Sequence, residues 1–224
     1  MIRFDNVHYH YRDRTVINGL SFELTERRIG IVGSNGSGKS TLSRLLNGLL
    51  APTEGRITVG ELDTRTQARQ VRRQVGLVFQ NPDSQIVLPT VAEDLAFGLR
   101  HQKVPKARIE ALIDEVLTRH DLQAYRDTPI HHLSGGQKQL VALSGVLVMS
   151  PRWLVLDEPT TLLDLRNRRR ITQVIDQLEQ RAIVISHDLE LMQQMERVIV
   201  LEAGKVAIDA PPEIALPFYT EQMA

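Results

Sequence analysis

The segment RIGIVGSNGSGKSTLSRLLNGLL, residues 28–50, is the most informative part of the sequence about the fold. It opens with a short apolar run typical of a buried strand, passes through a glycine-rich loop, and ends in an apolar-periodic segment that predicts a helix. The loop matches the pattern G-x-x-x-x-G-K-[ST] at Gly33, Gly38, Lys39 and Ser40. A strand, such a loop and a helix in this order predict a site that binds phosphate groups.

The chemistry of this loop follows from its residue types. Glycines allow backbone N–H groups to turn inward around phosphate oxygens, and the N-terminus of the following helix adds a partial positive charge. The ammonium of Lys39 is expected to reach the β- and γ-phosphates of a nucleoside triphosphate, and the Ser40 hydroxyl is expected to ligate Mg²⁺. The residues predicted to surround the phosphates are Gly33, Ser34, Asn35, Gly36, Ser37, Gly38, Lys39, Ser40 and Thr41.

A second motif, LVLDEP at 154–159, complements the loop. Its apolar residues predict a buried strand that delivers Asp157 to the carboxyl-terminal edge of the sheet, where phosphate-bound Mg²⁺ would lie. Asp157 is therefore predicted to hold the ion. Glu158, the next residue, is predicted to polarise the attacking water, a role that typically contributes about 10²–10⁴-fold in rate.

The strand and helix signals in the rest of the chain predict an α/β fold. Together with the phosphate loop, they indicate a P-loop NTPase core that has a mainly parallel sheet, helices on both faces, and an N-terminal antiparallel β part. In the N-terminal part, Asn18-Gly19 is a turn signal between short strands. Further buried strands are predicted within 74–82, 153–159, 182–188 and 197–206.

The middle of the chain is predicted to be helical. Apolar residues from Ile109 to Leu117 recur at the spacing of one helix face. We therefore expect a single domain, 1–224, whose α/β core, about 1–82 and 151–224, is interrupted by a helical insertion at about 83–150.

Composition narrows the possible partners. Lysine plus arginine equals aspartate plus glutamate, 27 each, so charge gives no reason to expect nucleic acid, and the basic cluster at 166–170 is predicted to be a solvated helix face. There is no cysteine, and hence no disulfide framework. The chain contains no run of about 18 apolar residues, so a membrane role is expected to come through a partner.

The segment HLSGGQKQL, residues 132–140, predicts a second helix N-terminus rich in glycine. Ser134 can be a simple N-cap, or its hydroxyl and the neighbouring N–H groups can bind an anion; local features leave both interpretations open. Ser134 lies in the helical insertion, whereas the phosphate loop lies in the core. If both bind one γ-phosphate, we expect Ser134 of one chain to close over ATP held by another.

Taken in order, these motifs resemble the nucleotide-binding subunit of an ATP-binding-cassette (ABC) transporter. The resemblance covers nearly the whole chain and implies a head-to-tail dimer with two ATP molecules at the interface. Because both half-sites look intact in this sequence, we expect a homodimer, and pairing with a sibling ATPase is the alternative. The matching features are Tyr11, the loop 33–41, Gln80, LSGGQ at 133–137, LVLDEP at 154–159 and His187.

The resemblance also implies roles for individual residues. Tyr11 would stack on adenine, although Tyr9 competes for this role. Gln80 would contact Mg²⁺ and the attacking water, and His187 would contact the γ-phosphate as part of the catalytic set with Glu158. The residues implied to meet the partner's ATP are Ser134, Gly135, Gly136 and Gln137, with Asp164 at the dimer interface.

One departure from the family concerns the segment before Asp164. The family usually has a small residue there, whereas this chain has Leu162-Leu163, so the contact that Leu163 makes at the interface is not implied by the family pattern.

The segment 78–98, with Gln85, resembles the ATPases of energy-coupling-factor (ECF) importers for vitamins, biotin above all, and for cobalt or nickel. This implies integral membrane partners, a place on the cytoplasmic face of the membrane, and no direct contact with the transported substrate. Two alternatives are a soluble ABC-type ATPase without a membrane partner and a DNA-repair or chromosome ATPase of the same type. Neutral charge and the lack of sustained heptads count against the last.

Overall fold

Ten strands and eight helices make up the regular structure of residues 1–223, the part of the chain that the computed structural model describes. The strands are β1 (Ile2–Tyr11), β2 (Arg14–Leu24), β3 (Arg28–Gly33), β4 (Glu54–Val59), β5 (Leu62–Asp63), β6 (Val75–Val78), β7 (Trp153–Asp157), β8 (Arg181–Ile185), β9 (Arg197–Glu202) and β10 (Lys205–Ala210). The helices are α1 (Lys39–Leu46), α2 (Ala68–Gln74), α3 (Val91–His101), α4 (Lys106–Arg119), α5 (Gly135–Leu147), α6 (Leu165–Asp176), α7 (Leu189–Met192) and α8 (Pro212–Met223).

The chain divides into two compact units. The first consists of Met1–Leu77, Arg152–Glu158 and the residues from Glu179 onward, and it contains the two sheets. The second consists of Val78–Pro151 and Pro159–Leu178, and it is mainly helical. The α/β class predicted from the sequence is confirmed.

The smaller sheet of the first unit is antiparallel, with the strand order β2-β1-β4-β5. The prediction of a turn at Asn18-Gly19 is wrong, because β2 runs through both residues and the turn lies at Arg12 and Asp13. Gly19 instead is a bulge in β2 with φ +73°. A bulge glycine and a turn glycine both need positive φ, so their local sequence signals are alike.

The larger sheet has the order β10-β9-β3-β8-β7-β6, with β3, β7, β8 and β9 parallel. The single strand predicted over 197–206 is in fact two antiparallel strands, β9 and β10, joined at Ala203 and Gly204, both with positive φ. Trp153 is buried at the start of β7.

The parallel strands bring their carboxyl ends to one edge of this sheet. β3 ends at Gly33, β7 at Asp157 and β8 at Ile185, and β3 pairs with β8, which pairs with β7. Loops that follow parallel strands converge at this edge, the usual place of ligands in open α/β sheets. The phosphate loop, Glu158 and His187 therefore all lie at the carboxyl-terminal edge of the larger sheet.

The helical unit is built on amphipathic faces. In α4 the predicted face is confirmed, because Ile109, Ile113, Val116 and Leu117 are buried. Helix α3 packs on α4 and α5, and α5 also packs on α6. Within residues 1–223, no helix combines the length and apolarity that crossing a bilayer requires.

The basic cluster at 166–170 lies in α6 and is only partly the solvated face that we predicted. Arg166 and Arg169 are exposed, but Arg170 is half-buried, and its guanidinium donates to the carbonyl oxygen of His120 at 2.6 Å.

His120 follows α4 and is buried in the second unit. Its Nε2 has no hydrogen-bond partner within residues 1–223. Burial, assisted by the positive charges of Arg119 and Arg170, lowers the pKa of this imidazole from 6.5 to about 4.

This histidine should make the folded chain less stable in acid. Between its unfolded pKa of 6.5 and its folded pKa of about 4, only the unfolded chain binds the proton, so stability falls as pH decreases through this window. The expected loss attributable to His120 is about 2–3 kcal/mol by pH 4.5. Urea unfolding measures the free energy of unfolding at pH 7 and at pH 4.5. This free energy should fall less between the two pH values for His120→Gln than for the wild type. Equal losses in the two proteins would contradict the assignment.

Candidate nucleotide-binding site

The phosphate loop follows β3 and opens α1, as predicted. Gly33 is required by close packing, because a Cβ there would lie 2.3 Å from the carbonyl oxygen of Leu201. Gly38, the N-cap of α1, has φ +105°, and a Cβ there would lie 2.7 Å from Cδ1 of Ile17. Larger residues at these positions would displace the loop from its strand support.

Lys39 is buried against the backbone of this loop. Its Nζ donates to the carbonyl oxygens of Gly33 at 2.6 Å and Ser34 at 2.9 Å. Burial lowers the pKa of the ammonium, and the carboxylates of Glu158 and Asp157 act in the opposite direction. The positive charge thus lies within the loop, close to two carboxylates of the same sheet edge.

Asp157 and Ser40 provide oxygen atoms suited to Mg²⁺. The Ser40 hydroxyl donates to Oδ1 of Asp157 at 3.4 Å, and the Ser43 hydroxyl lies 3.1 Å from Oδ2. Within residues 1–223 there is no group of three or more His, Cys, Asp or Glu side chains that could hold a metal. Such a sparse set of hard oxygen donors fits Mg²⁺, which proteins usually hold through one or two carboxylates together with substrate phosphates.

The electrostatics of Asp157 agree with this chemistry. Burial raises the pKa of its carboxyl group, and the hydroxyls of Ser43 and Ser40 and the charges of Arg44 and Lys39 oppose that shift. A nearby dication would favour the charged carboxylate further. Ser43 was not among the predicted residues, although its position one helical turn after Ser40 was a usable signal.

Glu158 and His187 lie side by side at the edge of the sheet. The backbone of Glu158 is held by a hydrogen bond from its N–H to the carbonyl oxygen of Ile185 at 2.8 Å, and its φ is +52°. His187 donates from its backbone N–H to Oε2 of Glu158 at 3.4 Å, and its Nε2 lies 3.4 Å from Oε1. A non-glycine residue in this left-handed conformation is uncommon and is often found at functional sites.

His187 has a second neighbour that the sequence did not indicate. Its Nδ1 lies 3.0 Å from the hydroxyl oxygen of Tyr219, a buried residue of α8. Burial and the negative charge of Glu158 raise the pKa of the Tyr219 phenol, which therefore stays neutral.

Tyr11 ends β1 and is 64% exposed, whereas Tyr9 is half-buried in the same strand. The exposed ring is the one available for stacking on a base.

Tyr11 pairs with Arg14 across the turn, and the Arg14 guanidinium lies 3.7 Å from the Cβ position that Gly36 of the phosphate loop would have. Arg14 has no ion pair within residues 1–223, so its charge is available to a phosphate. Sequence reasoning missed Arg14, although the short turn after Tyr11 indicated that this residue would lie beside Tyr11.

Ser134 in the second unit caps α5 in a reciprocal capping box. Its hydroxyl accepts from the N–H of Gln137 at 3.3 Å, and its own N–H donates to Oε1 of Gln137 at 2.7 Å. The two glycines differ in purpose. A Cβ at Gly135 would meet open space, but at Gly136 it would lie 2.2 Å from Cγ of Asn167. Gly136 therefore permits close packing, and Gly135 keeps the exposed helix start unobstructed.

Asn167 links this helix start to Asp164. The Asp164 carboxylate caps α6 by accepting from the backbone N–H of Asn167 at 2.8 Å, and it accepts from the side-chain amide at 3.0 Å. Leu162, just before this cap, is 98% exposed with φ +64°. Leu163 is half-buried. Sequence reasoning missed Asn167, because its contact with Gly136 joins segments far apart in the chain.

Two glutamines after β6 differ in their surroundings. Gln80 is exposed, and the structure shows no side-chain hydrogen bond for it within residues 1–223. Gln85 is held at both ends of its amide: Oε1 accepts from the N–H of Phe79 at 3.0 Å, and Nε2 donates to the carbonyl oxygen of Ala142 at 2.7 Å. Gln85 thus ties the segment around Gln80 to α5.

The fold and the loop chemistry define a P-loop nucleotide-binding protein, and similar proteins agree. The family model for ABC transporters matches residues 17–161. A Deinococcus radiodurans protein whose name describes an ABC transporter ATP-binding protein is 60% identical, over 100% of this chain and 99% of its own. The biotin transport ATP-binding protein BioM of Rhizobium etli is 44% identical over 98% of both chains. The energy-coupling factor transporter ATP-binding protein EcfA1 of Caldanaerobacter subterraneus is 40% identical over 95% of this chain and 81% of its own.

Solved structures show the same fold. CbiO1 of Clostridium perfringens, part of the ABC transporter complex cbiONQ, has a TM-score of 0.85 and 31% identity over 99% of this chain and 93% of its own. The ATP-binding cassette MJ0796, in a dimeric post-hydrolysis state with ADP and Pi, has a TM-score of 0.85 and 26% identity over 95% of this chain and 99% of its own. The chain belongs to the ABC transporter family. It is an ATPase, the ATP-binding subunit of an ABC transporter, and the predicted resemblance to ECF-type ATPases is confirmed.

Proposed function

We propose that the chain is the ATP-hydrolysing subunit of an ECF-type importer that takes up a vitamin, biotin being favoured, or a transition-metal ion. The observation that carries this proposal is the near full-length similarity to the biotin transport protein BioM, supported by EcfA1 and CbiO1. The ATPase itself makes no contact with the transported substrate in this proposal.

The phosphate loop binds the triphosphate of ATP. Backbone N–H groups of the loop and the Lys39 ammonium neutralise its charge, while Arg14 adds a cation at the outer side of the loop. Tyr11 offers an exposed ring to adenine. Ser40 and Asp157 would hold Mg²⁺, which when bound supplies charge neutralisation of the phosphates.

Glu158 accepts the proton of the attacking water. Its carboxylate lies at the sheet edge and next to His187, so the base and a residue able to contact the γ-phosphate are held together. General-base assistance of this kind is worth about 10²–10⁴-fold in rate.

The complete reaction centre requires two copies of the chain. Ser134 and Gly135 present an exposed helix start without a Cβ in the way, and the N–H groups there suit the γ-phosphate of ATP held by the partner copy. Gln137 completes the cap of this helix, and the absence of a Cβ at Gly136 lets the side chain of Asn167 pack against it. Asp164 and the fully exposed Leu162 lie nearby in the same unit as candidate interface residues.

A membrane subunit docks on the second unit and holds the chain on the cytoplasmic face of the membrane. Val87 and Phe97 are large apolar side chains that are 63% and 52% exposed. Asp94 accepts from the N–H of Val87 and Leu88, which places that segment beside α3, one turn before Phe97. This apolar surface suits a helix of an integral membrane protein.

Replacing Phe97 with Asp should remove the membrane partner without removing hydrolysis. A charged group on this surface would have to be desolvated in the contact, which is costly. We expect purification from detergent-solubilised membranes to recover a multi-span membrane protein with the wild type and at least about tenfold less of it with the variant, as expected for the loss of an interface residue.

The matched control is Ile214→Asp, which places the same charge at an exposed apolar position in the first unit, on α8. It should keep the membrane protein. Equal recovery with Phe97→Asp and Ile214→Asp would overturn the docking surface. Absence of any membrane protein with the wild type would instead support a soluble ATPase.

A further inference from the structure

The imidazole of His187 is held between an acid and a phenol. Nε2 lies 3.4 Å from Oε1 of Glu158, and Nδ1 lies 3.0 Å from the Tyr219 hydroxyl. Tyr219 comes from α8, which packs against β9, β10 and α7 in the first unit. The two ring nitrogens therefore have different partners, and these partners select the position of the proton.

A neutral imidazole carries one N–H, and one arrangement suits all three groups best. The contact between Nε2 and Oε1 lacks hydrogen-bond geometry, but the Glu158 carboxylate is negative and can only accept, so its charge favours the tautomer with the proton on Nε2. Nδ1 is then an acceptor, and the Tyr219 hydroxyl must donate to it. The other tautomer would direct a lone pair of Nε2 at the carboxylate oxygen.

We propose that Tyr219 is a positioning residue for ATP hydrolysis, whose hydroxyl donates to Nδ1 of His187 and thereby fixes both the ring orientation and the Nε2–H tautomer. The inference rests on the proposed role of His187 at the γ-phosphate. With Nε2–H directed toward Glu158, the imidazole presents a donor to the region where the terminal phosphate and the attacking water meet. A hydrogen bond to the far nitrogen of a functional histidine commonly has this orienting effect.

The burial of Tyr219 supports this role. The side chain is 7% exposed, so its hydroxyl has little access to water and depends on a protein partner. The side chain of His187, by contrast, is 41% exposed, and within residues 1–223 its ring makes no other hydrogen bond or ion pair. The C-terminal helix thus supplies a contact that the loop after β8 cannot make by itself.

Tyr219→Phe removes only the hydroxyl and tests the proposal in two ways. We expect kcat for ATP hydrolysis to fall about five- to tenfold, the effect of one lost hydrogen bond, with the KM for ATP changing less than about twofold. In ¹⁵N NMR of the histidine side chains, His187 should change from a single Nε2–H tautomer to a mixture. His187→Gln assigns the signal among the seven histidines.

Two comparisons separate positioning from a structural effect. Tyr125→Phe, which removes a half-buried phenol hydroxyl in the other unit, should change neither kcat nor the NMR signal. In a His187→Ala background, Tyr219→Phe should cause no further loss of kcat, because both changes act through one ring. A full additional loss in that background, or an unchanged His187 tautomer in Tyr219→Phe, would overturn the proposal.

The tautomer measurement does not depend on the proposed transport function. If the chain hydrolyses ATP without any need for His187, the proposed site fails while the Nε2–H tautomer persists. If His187 is essential but its tautomer is insensitive to Tyr219, only the present inference fails.

Discussion

Replacing Glu158 with Gln should lower ATP turnover by about 10²–10⁴-fold while leaving ATP binding intact. The amide keeps the size and the position of the carboxylate at the end of β7, but it cannot accept the proton of the attacking water. Lys39 and the phosphate loop, which bind the nucleotide, are unchanged. Phosphate release under steady-state conditions measures the loss, and equilibrium binding of labelled ATP measures what is retained.

The same variant should accumulate as an ATP-bound dimer. If hydrolysis lets the two copies separate, then blocking hydrolysis keeps them together, and sedimentation with ATP should show a dimer for Glu158→Gln. The control Glu202→Gln makes the same exchange at an exposed site at the end of β9 and should behave as the wild type. Normal turnover together with a permanent monomer would contradict the role of Glu158.

Replacing Ser134 with Arg should abolish hydrolysis, by at least about 100-fold, and spare ATP binding. The long cationic side chain would occupy the space that Gly135 leaves open at the start of α5, so the helix could no longer approach a γ-phosphate. ATP binding is spared because the phosphate loop belongs to the other unit of the chain. Nucleotide-binding and phosphate-release assays on one preparation separate the two effects.

Thr118→Arg is the matched control for this change. It adds the same side chain to an exposed position of α4 in the same unit and should leave hydrolysis unaffected. Unchanged hydrolysis in Ser134→Arg would contradict a site shared between two copies.

The parts of the site that the sequence predicted are those encoded within short segments. The phosphate loop, the strand that ends at Asp157 and the cap at Ser134 each combine a local residue pattern with a helix or strand signal. Local patterns also misled us at Gly19, where a bulge requires the same positive φ as a turn.

The residues that the sequence did not reveal act across long chain separations. Tyr219 reaches His187 from the C-terminal helix, and Asn167 reaches Gly136 from α6. Their local surroundings are those of ordinary helix residues, so only the folded arrangement distinguishes them. The hairpin turn at Ala203 and Gly204 was missed, although the polar residues Glu202 and Lys205 and the glycine between the two strands were usable signals.

A mixing experiment tests the two-copy reaction centre most directly. Ser134→Arg retains an intact phosphate loop, whereas Lys39→Ala retains an intact helix start at Ser134, and each variant alone should be inactive. In a mixed dimer, the loop of the first meets Ser134 of the second, so one complete centre forms. We predict that equal amounts of the two inactive proteins recover up to about a quarter of wild-type hydrolysis, the share of complete centres expected in a symmetric dimer with random pairing. No recovery, with mixed dimers present in the sample, would contradict the account, as would full activity of Ser134→Arg alone.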